Sequence, residues 1–418
     1  TCALPILALR AFEEAVGGTQ NLFQLMDIFS GGAFAHMTVI ALGVTPYISA
    51  SIILQLLVAV IPSLQREVRE TPELGRRKIG KWTRILTILL SIIHASLMAK
   101  YALQMEKNLP GLVVPELLNF TIGSVPWVFF LIVICTMSAG TMGLMWIGEQ
   151  ITEKGIGNGM SLIITLGILS SLPSTFGSIF RQLNLESTET GQLSFFSVGF
   201  LLLMFIGVVL GTILVIQGER KIHLQYARRE GENTQARSQP YIPLKINYAG
   251  VVPVIFASTL LMFPSTIAQF WGKDSWVGSM AAYLTSGSWV YTGLYVGLII
   301  LITYFWTATQ FHPDRIASDM KKNGAFIPGV RQGRPTEHYL EHSMNRLTFV
   351  GAWFLAVIAV LPTLVSKFME VDSHISYFFG GTSLLILVGV VLDTYKQIES
   401  HLLMKRYDGF MRLSRLHK

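Results

Sequence analysis

ALGVTPYISASIILQLL, residues 41–57, decides which solvent this chain folds in. The stretch carries no formal charge, and apolar neighbours extend it to residues 39–61. A hydrocarbon layer about 30 Å thick is crossed by about 20 apolar residues in helical form, so the block reads as a membrane span. Outward from it the pattern recurs at 84–103, 126–147, 157–176, 195–216, 249–271, 291–311, 348–366 and 377–395. The block at 157–176 is the most diluted, because GNGMSLIITLGILSSLP (157–173) mixes Gly, Ser and Thr with its aliphatics. The expected fold class is therefore an all-α polytopic membrane protein with nine visible spans.

Composition points the same way. Of 418 residues, 51% are hydrophobic and 14% charged, with a mean hydropathy of +0.51, whereas soluble domains carry about 25% charged residues. The two cysteines, Cys2 and Cys135, give no disulfide framework. No zinc spacing, Walker loop, GxGxxG fingerprint or HExxH helix occurs. Nucleotide hydrolysis and intramembrane proteolysis by this chain are thereby excluded, and no catalytic residue, metal or cofactor is expected.

Lys and Arg near span ends stay on the cytoplasmic side, and here they alternate sharply. The connection after the first block holds Arg66, Arg69, Arg76, Arg77, Lys78, Lys81 and Arg84, whereas the next holds Lys100 and Lys107. The segments 217–248 and 312–347 and the tail 396–418 carry six basic residues each, and with Lys154 one face collects 26 of the 32. That face is expected to be cytoplasmic, with the C-terminus and both long loops on it. The net charge of +7 brings no RNA-binding signature; topology and attraction to anionic lipids account for a basic cluster. Loops of this length exceed what two helices need to connect, and suit a large cytoplasmic partner such as a ribosome or a motor. With nine spans and a cytoplasmic C-terminus, residues 1–38 fall outside, carry no removable signal peptide, and lead one to expect a further span upstream.

Between their ends the spans hold no Asp, Glu, Lys or Arg, which argues against a proton or ion relay. His94 is the one ionisable side chain at a core position, read by default as a neutral imidazole bonded to a neighbouring helix. Gly43, Pro46, Gly140, Gly143, Pro253 and Pro264 interrupt the blocks, as happens where a cavity or neighbour satisfies the freed backbone; helix packing explains small residues equally well. Three readings remain at this level: a conduit without chemistry, a solute transporter with neutral spans, and a scaffold with no pore.

Six strings narrow the choice: ALGVTPYISASIILQLL (41–57), GEQITEKGIGNGMSLI (148–163), INYAGVVPVIFAST (246–259), GAFIPGVRQGRPT (324–336), MNRLTFVGA (344–352) and FFGGTSLLILVGVVLD (378–393). In this order they resemble the SecY family, the channel-forming subunits of the Sec protein translocon, in its bacterial form. The resemblance implies a protein-conducting channel built of two pseudo-symmetric five-helix halves, whose first span is absent from this chain. The halves would be 39–176 and 177–395, preceded by an external segment, 1–38, and followed by a tail, 396–418.

By the same resemblance, Val44, Ile48, Met160, Ile164, Ile255 and Ile386 form a pore ring. An apolar constriction expels water and blocks ions while offering a sliding polypeptide no fixed hydrogen bonds. Without the motif, six aliphatics in apolar helices read simply as core or lipid-facing residues. Met160 departs in shape from the usual β-branched residue, although a flexible thioether still seals. The amphipathic segment with Leu22, Phe23, Leu25, Met26, Ile28 and Phe29 corresponds to a plug. The first and second blocks facing the sixth and seventh correspond to a lateral gate, with Ser49, His94 and Thr259 at its polar positions; His94 departs from the family's amide or carboxylate. Arg331, with Arg220, Lys221, Arg228 and Arg229, falls in the docking loops, although a solvated charged face describes the last four as well. Implied partners are SecE-like and SecG-like small membrane subunits, the SecA motor ATPase, the ribosome, signal sequences and unfolded client proteins, in a bacterial plasma membrane.

Overall fold

A computed structural model describes residues 30–34, 37–108, 113, 121–122, 125–173, 175–177, 195–226, 240–271, 288–369 and 382–416. The expected plug positions, Leu22 to Phe29, and the docking candidates Arg228 and Arg229 lie outside them. Two compact units result: Thr1–Ser197 with Val371–Phe378 and Val390–Lys418, and Val198–Glu370 with Phe379–Gly389.

In the first unit, α1 (Thr45–Val60) starts with Pro46 in its opening turn, where a missing N–H costs nothing. It stops at Ile61, whose extended backbone is the conformation demanded before Pro62. The chain turns through 100° there and enters the polar helix α2 (Pro62–Glu70). Next comes α3 (Pro72–Asn108), packed on both α1 and α2. Gly75 lets the corner close, since a methyl there would strike the Val68 backbone, and Lys78 Nζ pairs with Glu67 at 2.8 Å. A two-residue ribbon, β1 (Thr121–Ile122) and β2 (Val125–Pro126), leads into α4 (Trp127–Lys154), which packs on α3 and on α5 (Gly159–Ser170). Arg84 Nε donates to Glu149 Oε1 at 2.8 Å across the α3–α4 contact.

The second unit opens with α6 (Phe195–Gln217), followed by β3 (Glu219–His223), β4 (Gln225–Tyr226) and β5 (Tyr241–Lys245). Then come α7 (Val252–Trp271), α8 (Trp289–Gln310), α9 (Pro313–Lys322), β6 (Ala325–Phe326) and α10 (Arg334–Met369). Helix α8 packs on α7 and α10, and α9 on α10. Gly211 of α6 lies against the Phe354 ring. The chain ends in α11 (Thr382–Leu416), whose first eight residues belong to this unit and the rest to the first.

Every apolar block of the sequence falls on one of these helices, but the helices do not reproduce the count of nine. Among the described residues six are long and apolar enough to cross a membrane, or seven if α1 and α2 form one bent span. Helix α7 itself runs for 20 residues, with side chains described over Val252–Leu261, and α11 turns charged after Asp393.

Candidate functional site

The ring candidates of the first unit sit on two backbone devices. Val44, 2% exposed, is the residue before α1, and its carbonyl accepts from the Ile48 N–H at 3.0 Å. The segment leading to it runs against α4 and α5. A methyl at Gly140 would overlap the Val39 carbonyl, and Gly31, at φ +68°, lies against the Gly167 backbone. Only glycines tolerate both approaches.

Met160 and Ile164, 7% and 5% exposed, follow the GEQITEKGIGNGMSLI turn, whose groups are almost all engaged. Asn158 Oδ1 accepts from the N–H groups of Met160 (3.1 Å) and Ser161 (3.4 Å), capping α5. Thr152 Oγ1 accepts from Gly159 N–H and donates to the Gly148 carbonyl, each at 2.8 Å. Gly157, at φ +91°, donates its N–H to Gln397 Oε1 of α11 at 2.8 Å. A methyl at Gly148 would strike the Met160 thioether, so the glycine makes room for this ring candidate.

In the second unit the INYAGVVP turn carries Ile255. Asn247 Nδ2 donates to the Gly250 carbonyl at 2.9 Å, and Gly250 adopts φ +60°. Ile255 is half-buried on α7, and Ile386 is 1% exposed on α11. No ring candidate is exposed: Val44, Met160, Ile164 and Ile386 are buried, Ile48 and Ile255 half-buried.

Two of the gate candidates bond within their own helices. His94 Nδ1 donates to the Leu90 carbonyl at 2.8 Å, since a carbonyl only accepts. Thr259 Oγ1 donates to the Ile255 carbonyl at 2.8 Å. Ser49 is buried on α1, which packs on the helix of His94.

The described parts of the two basic connections of the second unit form one module, which the sequence reading did not foresee. Strand β3 pairs antiparallel with β5, and β4 with β6, joining segment 217–248 to segment 312–347. Beneath the strands lies an apolar core of Ile222, Leu224, Leu244, Phe311, Met320, Ala325, Ile327, Leu340 and Met344. Ile222 of β3, Leu224 just after it and Leu244 of β5 are buried, the two-residue spacing keeping Ile222 and Leu224 on one face. Arg220 and Lys221 remain exposed; Lys221 Nζ lies 4.9 Å from the Tyr241 ring centre and 3.5 Å from Glu219. Arg331 is exposed on a turn bounded by Gly329 and Gly333 at φ +82° and +96°. Its carbonyl accepts from Thr336 Oγ1 at 2.8 Å, and neighbouring Gln332 Nε2 donates to the Ala325 carbonyl. Burial pushes the Tyr248 phenol above its usual pKa, so it stays a donor, bonded to the Pro243 carbonyl at 3.1 Å.

The arrangement has apolar positions at interrupted helix ends and a basic module on a core of its own. The SecY family model matches residues 38–395. The chain belongs to the SecY family. It is 56% identical over 410 residues, 98% of its length and 90% of the relative's, to the protein translocase subunit SecY of Chlamydia trachomatis serovar D. Identity to the SecY subunit of Aquifex aeolicus is 42%, covering 97% of this chain and 90% of that one. Among solved structures, one described as the structure of a protein conducting channel aligns at a TM-score of 0.60 with 19% identity, covering 95% of this chain and 88% of that. Sec61 in the canine ribosome-channel complex aligns at 0.57 with 18% identity over the same shares. As a SecY protein the chain is a multi-pass membrane subunit of a protein translocase, a channel component and not an enzyme.

Asn158, Thr152, Asn247 and Gln397 were not singled out from sequence. Asn158 carried a readable signal, an Asn directly before an apolar helical run. The other three act through turns or through contacts distant in sequence.

Proposed function

We propose that this chain is a passive gated conduit, threading unfolded polypeptides across a bacterial plasma membrane and releasing apolar segments sideways into lipid. The observation that carries the reading is the state of the ring positions: all six are uncharged, and none is exposed. An aliphatic waist made by Val44, Ile48, Met160, Ile164, Ile255 and Ile386 keeps ions out by staying dry and holds a client without specific bonds. The full bundle is ten spans in two five-helix halves. Residues 22–29 plug the pore from outside.

Lateral release needs no energy source within the chain, because a signal sequence in helical form satisfies its own backbone in lipid. Interhelical bonds at Ser49, His94 and Thr259 bias the gate toward closure by about 0.6–2 kcal/mol each. Force comes from outside: SecA or a ribosome docks on the module carrying Arg220, Lys221 and Arg331, together with Arg228 and Arg229, and SecE-like and SecG-like subunits complete the membrane part. The module and the C-terminal end of α11 face the cytoplasm.

Proteoliposomes holding the chain, its small subunits and a motor ATPase test this. Uptake of an unfolded secretory precursor that depends on motor and signal sequence is expected. Uptake of a small solute without any protein partner would overturn it in favour of a transporter.

A further inference from the structure

We propose that the hollow between α8 and α10 is a binding site for one anionic phospholipid. Its walls are Tyr304 of α8 and His342, Asn345, Arg346, Phe349 and Val350 of α10, around a cavity of about 510 Å³. His342 and Arg346 stand one helical turn apart and so share a face of α10. The next turns of that face carry Phe349 and Val350, then Trp353 and Val357, all exposed. The Phe349 and Trp353 rings meet edge-on at 6.3 Å. Cation thus gives way to hydrocarbon at the point where the apolar block 348–366 begins.

That ladder matches the anatomy of a phospholipid. A phosphate fits the level of Arg346, with Tyr304, Asn345 and His342 supplying neutral hydrogen bonds, and an acyl chain fits the stripe below. No carboxylate lines the hollow. Glu341 lines an adjoining one and lies 3.6 Å from His338. Arg346 takes part in no salt bridge among the described residues, so its charge is available to a ligand. A lipid with net negative charge is preferred over a zwitterionic one, whose own cation competes with the arginine. The site rests on α8 and α10 spanning the membrane, and not on what the channel carries.

The test uses the full chain with its small subunits, in detergent, and phosphatidylglycerol bearing a diazirine on one acyl chain. Photolabelling is expected within residues 346–357, about fivefold weaker in Arg346→Gln, restored in Arg346→Lys, and indifferent to excess inorganic phosphate. Phosphatidylcholine with the same label is expected to mark the stripe weakly, with no response to Arg346→Gln. Should Arg346→Gln fail to insert, Val350→Trp, which fills the hollow and keeps the charge, is expected to cut the labelling. Equal labelling by the two lipids, or equal labelling of parent and Arg346→Gln, overturns the site. So does displacement by inorganic phosphate, which marks a plain anion site, or loss of labelling once the small subunits bind, which marks a protein interface. Failure of translocation with labelling intact bears on the channel reading alone.

Discussion

Ile386 is nearly inaccessible on an apolar turn of α11, and an amide there would bring hydrogen-bonding groups to the proposed waist, which is to work by excluding water. Ile386→Asn is therefore expected to raise resting ion conductance in planar bilayers and to pass clients with defective signal sequences; unchanged gating removes Ile386 from the ring. Arg331 makes its point by exposure rather than burial. Its turn is held by backbone bonds that a different side chain leaves alone. Arg331→Glu is expected to insert and remain stable while motor-driven translocation falls, and normal export would strike it from the docking surface. Asn158→Ala removes the acceptor for two N–H groups and is expected to cost about 1 kcal/mol, read as a lower thermal midpoint; no change would mean solvent replaces the cap. At this scale Asn158 was legible as a capping residue from its place directly before an apolar helical run. Gln397 was not, because its partner is a backbone N–H 240 residues away, and a peptide group leaves no signature in sequence.

The basic connections are where sequence reading stopped at length and charge and the structure adds elements. Two of the strands, β4 and β6, are two residues long, too short for an alternating pattern to be visible. Of the longer pair, YIPLK alternates while ERKIH opens on three charged residues, and the register becomes apparent only once β5 is set against β3. Their shared core makes the basic module a folded object, so its stability can be tested apart from its charge. Leu244 is fully buried under the sheet, and Leu244→Ala is expected to cost about 2–5 kcal/mol. Limited proteolysis is the measurement: faster cleavage within 217–248 and 312–347, with the spans still protected, is expected. Unaltered cleavage would mean the core does not hold the module. The bend at Ile61–Pro62 shows the opposite case, a feature legible from one residue: proline forced the extended Ile61 that the structure displays.

Across the chain, helix length and charge tell one story. α3, α10 and α11 contain 37, 36 and 35 residues, about 52–56 Å at 1.5 Å per residue, well beyond a hydrocarbon layer of about 30 Å. The excess of each is its basic end: Arg77 to Arg84, Arg334 to Arg346, and Lys396 onward. Membrane class was legible because lipid punishes every charge in a span. The central claim is that an unfolded client passes the aliphatic waist. The most direct measurement arrests a precursor in transit with a folded C-terminal domain and places photoreactive residues, one at a time, along this chain. Cross-links to the client from positions 44, 164 and 386, and none from the exposed Leu203 and Leu301, are the predicted result; cross-links at Leu203 or Leu301 with none at the waist would contradict the account.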